Sequence, residues 1–163
     1  MIDMTKINIL LSLIRKRDWA SAHVLLDEEE LADPGEQTVA HWRSVLLRNE
    51  GRYEEALEYL ADNLYRFDCK TGALNNRAWI LHLKGNDKGA LNEIERAPFD
   101  VEIEDNWALV MEAKFFRLYL MARLGLSISA EQLAEIPDDY IYLLPTGERV
   151  PKKQLIEKST RKL

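Results

Sequence analysis

Cysteine occurs once in the 163 residues, at Cys69, so the chain can form no internal disulfide. A lone cysteine suits a reducing compartment, and a buried free thiol is expected rather than a reactive one. Glycine is scarce, with seven residues, and none builds a phosphate-cradling loop or a Gly-x-Ser-x-Gly nucleophile elbow. The three histidines, His23, His41 and His82, include no pair at metal-ligand spacing on one helix, and His-Glu-x-x-His and cysteine clusters are absent. No catalytic residue, no metal and no cofactor is assigned on this basis, and the chain is expected not to be an enzyme. Long apolar runs are missing too. The stretch Ile7–Ile14 is broken by Asn8 and Ser12, and Met1-Ile-Asp-Met-Thr-Lys carries an acid where a secretory signal is basic. No segment reaches transmembrane length, so a cytoplasmic protein with no membrane partner is expected.

An excess of positive charge is also lacking. The net charge of −6 argues against nucleic acid, whose phosphates call for a basic stripe. The sign is uneven. From Pro151 onward Lys152, Lys153, Lys158, Arg161 and Lys162 stand against Glu157, a local balance of +4 that leaves −10 on the rest. Such an end either docks on the acidic body or is solvated, and a solvated tail is the simpler expectation.

Proline is absent between Pro34 and Pro98, which leaves room for four consecutive helices at about 35–50, 52–66, 71–84 and 86–96. Upstream, Thr5–Lys16 and Trp19–Glu29 form a helical hairpin, with Asp18 placed to cap its second member. A hydrophobic content of 47% is enough for one continuous core, so residues 1–163 read as a single all-α domain. Residues 99–104 form an acidic connector, and 105–136 a further helical hairpin. Its first helix, Asn106–Leu124, is apolar enough all round to be buried on more than one side. Gly125 ends it, and Ser129 caps a short helix through Ile136. In 137–163 the chemistry changes: Tyr140–Leu144 is rich in β-formers, Pro145-Thr-Gly147 is turn chemistry, and Val150-Pro151 can start a closing helix with proline in its first turn. Two forms fit, a β-hairpin with a helix that caps the preceding helices, or an irregular extended arm.

What the chain does have is a period. Gly51 and Gly85 lie 34 residues apart, each followed five residues on by alanine, Ala56 or Ala90, and Arg17 with Ala22 repeats the frame 34 residues upstream. The second unit reads Ala40-x2-Arg43-Ser44-x2-Leu47-x3-Gly51-x-Tyr53-x2-Ala56-x3-Leu60. The third reads Leu74-x2-Arg77-Ala78-x2-Leu81-x3-Gly85-x-Asp87-x2-Ala90-x3-Ile94, and the first keeps Leu13, Trp19, Ala22, Leu26 and Pro34. Small residues let paired helices approach, glycine supplies the left-handed turn, and large apolar residues fill the seam. Over residues 4–102 the chain resembles the tetratricopeptide-repeat family, as three repeats. The resemblance implies a right-handed stack of antiparallel helical hairpins.

In that family ligands lie against the first helix of each pair. The matching positions are Ile7, Leu11 and Ile14; Thr38, His41, Val45 and Arg48; Asn75, Trp79 and His82. Of these, His41, Val45, Arg48, Asn75, Trp79 and His82 are the candidate partner-binding residues. The set of lysines and asparagines with which the family clamps chaperone C-termini is lacking. One departure concerns Arg43, Arg77 and Arg117, where the family pattern usually has leucine. Either these cations pair internally with carboxylates of adjacent helices, the simpler expectation, or they form a row of donors for an acidic ligand. The expected function is a module that holds a protein or peptide partner. A dedicated inhibitor, such as the immunity partner of a bacterial toxin, and a tetratricopeptide-type secretion chaperone are the alternatives.

Overall fold

The hydrogen-bonding pattern at three helix ends repeats with the interval seen in the sequence. In the computed structural model, which describes residues 2–144 and 147–160, Arg17, Gly51 and Gly85 all adopt left-handed backbone, with φ of 57°, 80° and 80°. At each, the N–H bonds the carbonyl three residues back, on Ile14, Arg48 or His82. The next N–H reaches five back, from Asp18 to Leu13, Arg52 to Leu47 and Asn86 to Leu81. These paired bonds satisfy carbonyls that a helix end otherwise leaves open. The following helix is capped alike in two copies and differently in the third. Asp18 and Asn86 accept from the N–H groups of Ser21 and Gly89. Arg52 has no acceptor to offer, and its guanidinium instead ties Glu50 and Glu55. Beyond each cap Ala22, Ala56 and Ala90 are fully buried, as are Leu26, Leu60 and Ile94 four residues later.

A side chain in left-handed backbone is strained by roughly 1–2 kcal/mol. A Cβ on Gly85 would meet nothing within 4 Å, so the cost of Gly85→Ala is purely one of backbone conformation. Chemical denaturation is expected to show Gly85→Ala less stable by about 1 kcal/mol and Arg17→Gly more stable by up to that amount, reduced by the chain entropy of glycine. A loss of stability in Arg17→Gly would mean that the arginine side chain outweighs its own backbone strain.

The chain gathers into two compact units, Met1–Asp68 and Cys69–Leu163. The first unit holds α1 (Met4–Lys16), α2 (Trp19–Ala32), α3 (Gln37–Asn49), α4 (Tyr53–Asp62) and a 3₁₀ turn, Leu64–Arg66. Each helix packs against the next. Part of its core is Ile2, Leu10, Ala22, Leu26, Val39 and Leu46, with Trp19 and Trp42 half-buried against it.

The second unit holds α5 (Lys70–Leu83), α6 (Asp87–Ile94), α7 (Phe99–Glu102), α8 (Trp107–Arg123), α9 (Ala130–Ala134), β1 (Ile141–Leu143), β2 (Arg149–Pro151) and α10 (Lys152–Thr160). The apolar helix α8 is its centre. Val110, Ala113, Phe115, Phe116 and Leu120 are fully buried, and α5, α6, α7, β1 and α10 all pack on α8. The acidic connector contains a helical turn, and Glu102 at its end accepts from the N–H groups of Lys70 and Thr71, both at 2.8 Å, thereby capping α5. Ser129 caps α9 with Gln132 in a reciprocal capping box.

The C-terminal segment takes the hairpin form. β1 and β2 pair antiparallel, with Tyr142 opposite Val150; both are buried, while Ile141 and Leu143 face out. Pro151 ends β2 rather than opening the helix, which begins at Lys152. Of the turn residues, Pro145 and Thr146 lie outside the described residues, as do Arg161 and Lys162 of the basic end. A wholly solvated tail is corrected by Lys152. It is 6% exposed, and its Nζ donates to the Ile136 carbonyl and to Asp138, each at 2.6 Å. A buried ammonium needs such partners, and these two pin α10 to the segment before the hairpin. The architecture is thus mostly helical with one small two-stranded sheet. Among the described residues no helix is long and apolar enough to cross a membrane.

Candidate functional site

The six candidate residues fall on two helices, three on each. In the first unit His41, Val45 and Arg48 lie at i, i+4 and i+7 of α3 and so share a face. Val45 is buried at 9% exposure, Arg48 is half-buried and His41 is exposed. The His41 ring stands edge-on to Trp42 at 5.5 Å. Loss of hydration to the protein around it, and secondarily the Arg48 cation, lower the His41 pKa to about 4. The imidazole is therefore neutral at pH 7, able both to donate and to accept.

With a folded-state pKa below the unfolded value, His41 takes up fewer protons folded than unfolded between about pH 6.5 and 4. Its contribution to stability is present above that window and is lost as pH falls through it. Because the residue as a whole is exposed, the contribution is small. An NMR titration is expected to show the His41 ring neutral down to about pH 4, and Arg48→Gln to raise its midpoint. An unshifted midpoint near the ordinary histidine value would remove the crowding and the Arg48 effect together.

On α5 of the second unit, Asn75, Trp79 and His82 face α8 and the hairpin instead of an open groove. Asn75, 5% exposed, donates to Glu112 at 3.2 Å. Trp79 is half-buried. Its Nε1–H donates to the Tyr142 hydroxyl, and its ring meets Phe116 and Tyr142 edge-on at 6.3 and 6.2 Å. His82 Nδ1 bonds Asp87 at 2.5 Å, and the imidazole stands edge-on to Phe116 and Tyr119. Burial alone would raise the Asp87 pKa, but hydrogen bonds from Arg123 and His82 prevail and hold it below the ordinary value. The structure thus brings Trp79 and His82 together through Phe116 and commits both to internal partners. His41 is exposed, and Arg48 one turn along the same face is half-buried.

The arginine series divides. Arg43 pairs with Asp27 at 2.6 Å and contacts His23 Nδ1 at 3.1 Å. Arg77 pairs with Glu93 of α6 at 2.9 Å, and Glu93 sits below its ordinary pKa: burial would raise it, but Arg77 and Arg96 outweigh that. Those two follow the internal-pairing expectation. Arg117 does not: its guanidinium lies over the Phe99 ring at 5.7 Å, its Nε is buried without an acceptor, and no carboxylate lies within ion-pair distance among the described residues.

Two features lie outside the sequence reading. Arg66, its side chain 5% exposed, donates to Glu30 and to the Glu36 carbonyl, each at 2.9 Å, and contacts Asn63 and Tyr59. Several large apolar side chains are exposed, Val24, Leu31 and Tyr65 on the first unit and Val101 and Trp107 on the second. Cys69 is buried with Sγ 3.4 Å from Glu102, and burial, then that carboxylate, push its thiol pKa up, the opposite of an activated nucleophile. Among the described residues no cluster of three or more His, Cys, Asp or Glu side chains could hold a metal. Compared with protein-family models, with curated proteins and with solved structures, the chain matches none.

Proposed function

We propose that the chain is a tetratricopeptide-type helical-repeat module that acts without chemistry, holding a protein or peptide partner in the cytoplasm. One observation carries this reading: the same left-handed turn, the same pair of backbone hydrogen bonds and the same buried alanine recur at 34-residue intervals, at Arg17, Gly51 and Gly85. The same turn and bonds also end α8 at Gly125, 40 residues after Gly85, so it is the in-register recurrence of turn and buried alanine together, at the repeat interval of a solenoid family, that supports the reading. Within this reading the partner lies on the α3 face that presents His41 and Arg48, since Trp79 and His82 are engaged inside the second unit. Aromatic and arginine side chains are the groups that dominate such contacts.

The second reading, a dedicated inhibitor such as an immunity protein, is favoured by the −10 balance of the chain before Pro151, which suits a basic cleft on a toxin. The secretion-chaperone reading loses support, because the apolar candidates Val45 and Trp79 are buried or half-buried instead of lining a groove.

A photo-reactive residue at position 41, compared with one at the exposed Glu58 on α4, tests the main reading. The expected result is saturable trapping of one protein from position 41 only. With that protein purified, Arg48→Ala is expected to weaken binding about tenfold, in line with an interface hot spot. Equal trapping from both positions, or an Arg48→Ala variant that is folded and binds normally, would take the interface off α3.

A further inference from the structure

Within the second unit, a cleft of about 320 Å³ is bounded by Phe99, Asp100, Lys114, Arg117 and Glu135 among others. Lys114 and Arg117 stand three residues apart on one face of α8. Both cations lie over the Phe99 ring, Lys114 Nζ at 5.8 Å and the Arg117 guanidinium at 5.7 Å. Their remaining partners differ. Lys114, 9% exposed overall, is held by Glu135 at 2.7 Å, and that glutamate's own side chain is 43% exposed, just beyond the single turn α9. Among the described residues Arg117 has no carboxylate within ion-pair distance, although Arg43 and Arg77 each have one, and its Nε–H is buried without an acceptor. A buried donor in that condition costs stability unless something accepts from it.

We propose that this cleft is a carboxylate-binding site, in which Arg117 supplies the planar donor fork, Lys114 the second cation and Phe99 the floor. Glu135 is the internal competitor: it occupies Lys114 until a ligand arrives, and it is exposed enough to turn out to solvent. Charge selects the ligand. With Glu135 turned out, Lys114 and Arg117 share the cleft lining with Asp100, so a single negative charge completes neutrality and a phosphate dianion exceeds it. The carboxylate can belong to a small acid or to a glutamate, aspartate or chain end of a peptide. The site lies wholly within residues 97–135 of the second unit, so its failure would leave the α3 reading untouched.

The arginine Nε–H correlations of the full chain report on the site by NMR. The probes are sodium acetate and a capped pentapeptide with one central glutamate, at ionic strength held constant with chloride, with the glutamine peptide as control. The expected result is a saturable shift of the Arg117 Nε–H with acetate or the glutamate peptide, and none with chloride or the glutamine peptide. Glu135→Gln, which frees Lys114, is expected to tighten binding at least threefold, and Arg117→Gln to abolish it. Peptide and acetate binding equally well would assign the site to free acids, and much tighter peptide binding to a protein ligand. An Arg117 resonance that does not move saturably in either the natural chain or Glu135→Gln overturns the proposal, and the natural chain needs no variant to fold.

Discussion

Tyr142→Ala is expected to lose about 3–5 kcal/mol of stability, the cost of deleting a large aromatic side chain from a packed core. Tyr142 is 1% exposed and sits between three rings: stacked on Phe115 at 5.1 Å and Phe116 at 5.9 Å, and edge-on to Trp79. Its hydroxyl accepts the indole N–H of Trp79. An isolated two-stranded hairpin is marginal in water, so β1 and β2 depend on this anchor. Without it the strands lose their largest inward side chain; Ile141 and Leu143 already face out, and Val150 and Leu144 are left to hold the hairpin on the core. Tyr142→Phe keeps the rings and removes the hydroxyl that accepts from Trp79, so about 1 kcal/mol is expected for it. Urea denaturation followed by far-UV circular dichroism separates the two. Equal losses in both variants would mean that the hydrogen bond, not ring packing, holds the hairpin.

The same cluster shows where sequence reading succeeds and where it stops. The helix ends were readable because they depend on local chemistry: a left-handed turn at Gly51 and Gly85, caps at Asp18 and Ser129, β-formers around Tyr142. The face that α5 buries was not. Its apolar residues are spread around the helix, and which side is covered depends on α8, more than twenty residues away in sequence and packing on α5 and α6 alike. Hence Asn75 and Trp79, projected onto an inner groove, meet Glu112, Phe116 and Tyr142 instead. Arg43 and Arg77 could be expected to find acids because Asp27 and Glu93 lie one helix away. That Arg117 would not find one is decided by how α7 places Phe99 beneath it, which no periodicity encodes.

Arg66 was invisible for a related reason. Its partners lie 3, 7, 30 and 36 residues away, at Asn63 just before the 3₁₀ turn, on α4 and around the α2–α3 connection. Arg66→Ala is expected to destabilise the first unit by about 3 kcal/mol, because it removes charge-assisted bonds and the buried stem together. Arg66→Met separates the two contributions. The methionine refills most of the stem, so what it still loses is the hydrogen bonding to the Glu36 carbonyl, Asn63 and Glu30. Glu30, its side chain 35% exposed, can turn to water, whereas the Glu36 carbonyl keeps its place at the start of α3. A loss of about 1–2 kcal/mol is therefore expected for Arg66→Met, mostly from that carbonyl, and almost none for Glu30→Gln. Denaturation monitored by tryptophan fluorescence in a background with Trp79 and Trp107 replaced by phenylalanine, which leaves Trp19 and Trp42 of the first unit as reporters, measures all three. If Glu30→Gln proves as costly as Arg66→Met, the ion pair and not the carbonyl bond is what fixes the 3₁₀ turn against α3.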